Sequence, residues 1–233
     1  MGWSLSNSSA HYLSTGADMV RNLVDRLFRN LHDGRQRKGP SRHSGTSRSS
    51  TIDSDLRPGS HDLMMIRLET PRLTLLTLTV QQMRWQRDDF ARLEQALGLA
   101  PSGQKLEDEL RPIVSRAISQ MRRRPHHARW HCQWAAVFKE ERRIIGSLAF
   151  KGPPDREEAV EIGYGFDPSY HNRGLATEAV GEMVRWALSE DGVETVIAET
   201  ANMNVASMRV LQKVGFVITS ATQRYLYWKV SGR

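Results

Sequence analysis

Arg173-Gly174-Leu175-Ala176-Thr177 has the residue types of an anion-binding loop. Small residues let backbone N–H groups come close to a ligand. A helix opening at this point would aim its first free amides, and the positive end of its dipole, at the same place. The chemistry this suits is the holding of a phosphate or pyrophosphate. Two other phosphate loops are excluded. A P-loop ends in Gly-Lys-Ser/Thr, and no lysine stands between Lys151 and Lys213. A dinucleotide fingerprint needs three glycines in a G-x-G-x-x-G turn, whereas Gly163 and Gly165 fall inside a strand pattern, too early for it. The plainer alternative is that Gly174 and Ala176 only permit tight helix–sheet packing; the flanking strand patterns favour the anion site.

The elements around the loop follow from periodicity. Val160, Ile162, Tyr164 and Phe166 alternate on one face of a strand, with Glu161, Gly163 and Gly165 on the other. Asp167-Pro168-Ser169 ends it, because Pro168 cannot donate to a ladder. A helix is expected over Ala176–Leu188, a strand over Thr195–Thr200, a helix over Val205–Val214, and closing strands over Val217–Thr219 and Arg224–Val230. Upstream, Leu73, Leu75 and Thr77 alternate in a first strand. Helices are expected over Val80–Leu97 and Leu106–Arg123, then strands over Trp134–Lys139 and Arg143–Lys151. Strands alternating with covering helices predict an α/β (α+β) fold around a mixed sheet. The strand–helix–strand unit at 160–200 should be a right-handed parallel crossover.

Composition sets limits. The chain has 233 residues, 39% hydrophobic and 25% charged, enough for one packed domain and an extension. No apolar run is long enough to cross a bilayer. The single Cys132 excludes an internal disulfide framework and reads as a lone buried thiol. No Cys/His cluster has zinc spacing, so no metal is expected. Net charge is +7, spread along the chain. Its sharpest cluster, Arg122-Arg123-Arg124-Pro125-His126-His127-Ala128-Arg129, reads as the solvated end of a helix rather than a nucleic-acid surface, since no aromatic stacking platform accompanies it.

Residues 1–63 differ in kind from 64–233. Met19, Val20, Leu23, Val24, Leu27, Phe28 and Leu31 recur at helical spacing within 17–32, and 34–60 is a Ser-, Arg-, Gly- and Pro-rich linker pattern. Such a helix suits a membrane surface, a partner or a cap on the domain; the whole extension could also reflect an upstream start, with Met64 or Met65 as the usual beginning. Met1-Gly2-x-x-x-Ser6 fits a myristoylation pattern, a short match that carries little.

Three motifs together resemble a known family. His171-Asn172-Arg173-Gly174-Leu175-Ala176 resembles the Q/R-x-x-G-x-G/A acyl-CoA loop of the GNAT superfamily of N-acetyltransferases, with His171 departing at the first position. Asn204-Val205-Ala206-Ser207, running on to Lys213-Val214-Gly215-Phe216, is similar to the corresponding segment of its RimJ/RimL-like branch. Arg67-Leu68-Glu69-Thr70-Pro71-Arg72-Leu73-Thr74-Leu75 resembles that branch's opening strand. The resemblance spans about residues 65–230.

The resemblance implies a GNAT fold: a mixed central sheet, flanked by helices, whose splayed strand pair holds acyl-CoA. It implies acetyl-CoA as co-substrate and direct transfer to a primary amine, on a small molecule or a protein N-terminus. Ile162, Gly163, Tyr164, Gly165 and Phe166 would pair with the pantetheine arm, an N–H near Tyr164 or Gly165 polarising the thioester. His171, Asn172, Arg173, Gly174, Leu175, Ala176 and Thr177 would hold the pyrophosphate, with Asn204 and Ser207 contributing to the cofactor site. Glu161, facing away from Ile162 beside the expected thioester, is the candidate base, with Glu199 on the adjacent strand to raise its pKa; pairing with an arginine, or plain solvation, is the alternative. Many members place a tyrosine acid where this chain has Leu211, so Ser207 is the candidate acid, against a simple capping role. Trp130, Trp134 and Tyr164 suit either an acceptor pocket or the core, and the segment from Gly98 to Trp130 should form the acceptor wall. Rival readings are transfer of a larger acyl group, an acyl-CoA sensor without turnover, and a ribosome- or RNA-associated acetyltransferase. A cytoplasmic location is expected, and a homodimer is compatible with the family.

Overall fold

The computed structural model describes residues 65–232; the helical pattern over 17–32, the linker pattern over 34–60 and Met1-Gly2 lie outside the described residues. Eight strands form one sheet: β1 (Arg67–Glu69), β2 (Leu73–Thr77), β3 (Gln133–Phe138), β4 (Arg143–Phe150), β5 (Ala159–Phe166), β6 (Thr195–Ala201), β7 (Val217–Ala221) and β8 (Tyr225–Ser231). Their order is β1-β2-β3-β4-β5-β6-β8-β7, and only the β5–β6 pair is parallel. This is the expected mixed sheet, and the parallel pair frames the helix of the 160–200 crossover.

Among the described residues, five α-helices cover it: α1 (Val80–Asp88), α2 (Phe90–Ala96), α3 (Arg111–Arg123), α4 (Leu175–Leu188) and α5 (Val205–Val214). The expected helix over Val80–Leu97 is two helices. Asp89 leaves the helical region at φ −153°, ψ 78°, and its carboxylate accepts from Arg92 N–H at 3.1 Å, capping a new helix. The expected helix over Leu106–Arg123 likewise starts late, after a short 3-10 turn at Asp108–Leu110. α1 begins with a capping box: the Thr79 hydroxyl accepts from Gln82 N–H, and the Gln82 amide oxygen accepts from Thr79 N–H.

The strand register sorts side chains by face. Thr77, Trp134, Leu148 and Tyr164 stand in one row across β2 to β5. α4 lies on this face, since its Trp186 ring is 5.0 Å from Trp134 and 5.7 Å from Phe150. α4 buries Leu175, Ala179, Val180, Met183, Val184, Trp186 and Ala187, and packs beside α5. Trp134 is fully buried and Trp130 nearly so, packed on Trp186; of the aromatic residues considered for an acceptor pocket, these two belong to the core. Glu161, Gly163 and Gly165 point to the other face.

One irregularity matters most. β5 pairs with β6 only through Ala159↔Thr195, Val160↔Val196 and Glu161↔Ile197. Beyond that point β5 stays bonded to β4 as far as Phe166, and β6 to β8 as far as Ala201. From Ile162 onward the two central strands part, each with one backbone edge unpaired.

Candidate functional site

The parting opens toward the first turn of α4. Gly174 is its N-cap at φ +77°, a left-handed conformation that costs glycine little, and no side chain caps the helix. The first-turn amides of Leu175, Ala176 and Thr177 are therefore turned toward a ligand or water rather than a protein acceptor. Asn172 is also left-handed, at φ +59°, which asparagine tolerates better than most residues. Ahead of it, Asp167 accepts from Ser169 N–H at 2.9 Å and from the Ser169 hydroxyl at 2.6 Å, while His171 Nε2 lies 3.0 Å from Phe166 O. His171 thus closes the turn through its ring.

Arg173 offers backbone more than charge. Its guanidinium sits 4.9 Å over the Phe138 ring and 5.3 Å over that of Tyr170, and 4.0 Å from Glu141. Its carbonyl accepts from Arg72 Nη1 at 2.8 Å. Arg72 in turn grips Glu178, in the first turn of α4, through N–H at 2.8 Å and Nε at 2.7 Å; the Thr70 hydroxyl adds a bond of 2.6 Å. Burial alone would raise the pKa of Glu178, but Thr70 and Arg72 together hold it below the usual carboxylate range. This clamp was not visible in the sequence as a site: its two halves are more than 100 residues apart, although Thr70 and Arg72 fall within the opening strand motif.

At the closed end of the parting, Glu161 is the last β5 residue paired with β6. Lys151 Nζ lies 3.0 Å from its Oε1, with both side chains mostly covered. The ion pair considered for Glu161 therefore exists, with a lysine in place of an arginine. Glu199 follows Ile197 by two residues, so it shares the face of Glu161 and lies level with Gly163, where the strands have separated.

Across the opening, Asn204 is the N-cap of α5, its side-chain oxygen accepting from Ser207 N–H at 3.0 Å. Ser207 is buried, and its hydroxyl donates to the Tyr164 phenol oxygen at 3.1 Å; the phenol donates to Ser207 O at 3.3 Å. Burial pushes the Tyr164 phenol well above its ordinary pKa, outweighing the bond from Ser207. Leu211, one turn on, is fully buried. Sequence reasoning placed Tyr164 and Ser207 in the site separately; a contact spanning 43 positions has no local signature.

The segment expected as the acceptor wall supplies α3 and the loop before it. Gln104 Nε2 donates to Asp167 Oδ2 at 2.7 Å, tying that loop to the end of β5. Arg122, Arg123 and Arg124 are exposed at the end of α3, and Arg129 pairs with Glu190. Among the described residues, no group of three or more His, Cys, Asp and Glu is placed to hold a metal ion, and no helix is long and apolar enough to cross a membrane.

Comparison with known proteins agrees with this geometry. The chain is 26% identical over 164 residues to the uncharacterized N-acetyltransferase YjdG of Bacillus subtilis (strain 168), covering 70% of this chain and 97% of the relative. Its fold is similar to the ribosomal-protein-S5-alanine acetyltransferase of Vibrio fischeri, with a TM-score of 0.51 and 16% identity over 71% of this chain and 96% of that one. It is also similar to Mycobacterium smegmatis RimJ in complex with CoA-disulfide, with a TM-score of 0.50 and 17% identity over 72% and 86% of the two chains. The acetyltransferase (GNAT) domain family matches residues 72–217. A match over more than half of its length means that the chain belongs to the GNAT acetyltransferase family, and its activity is that of an acyltransferase.

Proposed function

We propose that the protein transfers the acetyl group of acetyl-CoA directly to a primary amine, on a small molecule or a protein N-terminus. The observation that carries this is the parting of β5 from β6 directly beside the uncapped first turn of α4. Such a site suits an extended amide-bearing arm on the strand edge and a pyrophosphate on the helix amides. Ile162, Gly163, Tyr164, Gly165 and Phe166 take the arm; His171, Asn172, Arg173, Gly174, Leu175, Ala176 and Thr177 take the pyrophosphate. Asn204 and Ser207 line the opposite side.

In the reaction the amine nitrogen attacks the thioester carbon, and the backbone N–H of Tyr164, on the β5 edge away from β4, steadies the oxyanion. Glu161 receives the proton that the amine loses, directly or through water. The C–S bond then breaks and the thiolate leaves, with Ser207 at the place where it must be protonated. Gly163 and Gly165 put no side chain on the face of Glu161 beside the thioester, which suits the approach of an amine.

Calorimetry with acetyl-CoA, followed by CoA release against a panel of amines and N-terminal peptides, tests this. Amine-dependent release is expected. Binding without release from any amine would favour an acyl-CoA sensor, to which the apolar Leu211 gives some support. No binding would overturn the proposal.

A further inference from the structure

Tyr164 bridges the two arms of the opening. It lies three residues beyond the last β5–β6 pair, on the face covered by α4 and α5, and its hydroxyl reaches Ser207 on α5. These side-chain hydrogen bonds join β5 to α5. Anything threaded between β5 and β6 with its reacting end near Gly163 passes this hydroxyl pair.

The two hydroxyls are not equivalent. The Ser207 proton is directed at the phenol oxygen at 3.1 Å, and the Ser207 amide is held by Asn204. The phenol proton has only a longer bond, 3.3 Å, to Ser207 O. That carbonyl sits in the first turn of α5, where it already serves the helix ladder. The phenol proton is therefore the easier one to redirect toward a new acceptor. When it turns, the phenol oxygen keeps the Ser207 hydroxyl as donor.

The surroundings match the task. Across the sheet the ring's row neighbours are Leu148 and Trp134, both buried and uncharged. Of the charged groups on the covering helices, Glu178 is held by Arg72 and Thr70, Glu182 pairs with Arg185, and Arg209 and Lys213 are exposed. The hydroxyl pair thus has largely buried, uncharged side chains beside it, and a hydrogen bond to an anion gains strength in such a setting. The phenol is protonated at neutral pH and so able to donate; burial makes it a weaker acid, which the hydrogen bond from Ser207 offsets in part.

We propose that the Tyr164 hydroxyl is a catalytic residue of the transfer: it donates its hydrogen bond, and then its proton, to the CoA sulfur as the C–S bond breaks, with Ser207 as its positioning partner. This rests on the proposed acetyl transfer. The sulfur leaves with the bonding electron pair and takes the phenol proton, giving CoA thiol. The phenolate oxygen is held by the Ser207 hydroxyl until a proton returns from solvent, replacing the one that the amine gave up to Glu161.

Two measurements test it. The first needs no amine: free CoA is bound to the full chain and its thiol is titrated by its ultraviolet absorbance. A donor aimed at the sulfur favours the thiolate, so bound CoA should titrate at lower pH in the wild type than in Tyr164→Phe, with Ser207→Ala in between, each protein being titrated at saturating CoA. The second compares acetyl donors at saturating amine. Tyr164→Phe should lose on the order of 10²-fold in turnover with acetyl-CoA, and far less with the acetyl thioester of an acidic aryl thiol, which leaves unaided. A merely structural tyrosine would give equal losses with both donors. Identical thiol titrations in wild type and both variants, with CoA bound, overturn the role of Tyr164 and leave the transferase standing. Failure of the wild type to bind CoA overturns the proposed function and this role with it.

Discussion

Lys151 and Glu161 face one another at the closed end of the strand opening, Nζ 3.0 Å from Oε1, and the Lys151 amide also donates to Glu161 O at 2.9 Å. Glu161 is thus held by one neighbour at both its main-chain carbonyl and its carboxylate, on the face where an amine would approach. Glu161→Gln keeps the shape and removes the proton acceptor. We expect turnover to fall by roughly 10²- to 10⁴-fold, with acetyl-CoA affinity little changed in calorimetry. An unaltered rate would remove Glu161 from the mechanism.

The Arg72–Glu178 clamp predicts an acid-sensitive stability. The pKa of Glu178 is lowered on folding, because the Thr70 hydroxyl and Arg72 outweigh the opposing effect of burial. Its contribution is therefore fully present above the unfolded carboxylate pKa of about 4.3, and is lost as pH falls through the lower folded value. Urea midpoints measured between pH 6 and pH 3, a window of roughly that span around the unfolded value, should fall less steeply for Glu178→Gln than for the wild type. The same variant frees the first turn of α4, so CoA binding should weaken severalfold, on the scale of one lost charge-assisted hydrogen bond.

Gly146 is packed too closely to accept a methyl group. A Cβ there would stand 2.6 Å from Gly165 O and 2.6 Å from Phe166 Cδ1. The carbonyl is backbone of the opened strand and has little freedom to yield. Gly146→Ala should lower stability by about 1–3 kcal/mol in denaturant unfolding. Because β5 must shift to make room, CoA affinity should fall as well.

Cys132 should be inert in the folded protein. It is buried, and burial pushes its thiol up to about 12. At pH 8 a thiol-directed reagent should react with it far more slowly in native than in denatured protein. Rapid native labelling would mean that β3 and the turn before it open readily.

The sequence made the elements legible where a residue's neighbours along the chain decide its conformation. The alternation Val160-Ile162-Tyr164-Phe166 and the helix opening after Gly174 each act within a few positions, and each stands as expected. The break at Asp89 was missed because α1 and α2 keep a nearly continuous helical pattern; an Asp cap in mid-pattern is the signal that was available. The clamp at Glu178, the Tyr164–Ser207 bridge and the Lys151 partner of Glu161 were out of reach for another reason. Each joins residues on separate elements, and only the sheet register brings them together.

The parted strands also leave the folded chain incomplete in a thermodynamic sense. A sheet edge on the outside of a molecule invites any extended chain to join it; this one is sunk between two strands, so it admits only something about one strand wide. Side chains on an intruding peptide would meet Ile162 and Tyr164 on one face, a penalty that a thin arm without side chains escapes. Whatever fills the slot saturates backbone groups that the chain itself leaves open, so occupancy and folding are linked by mass action. The melting temperature should then climb with the logarithm of ligand concentration, and in a cell the protein's abundance would follow the supply of its own substrate.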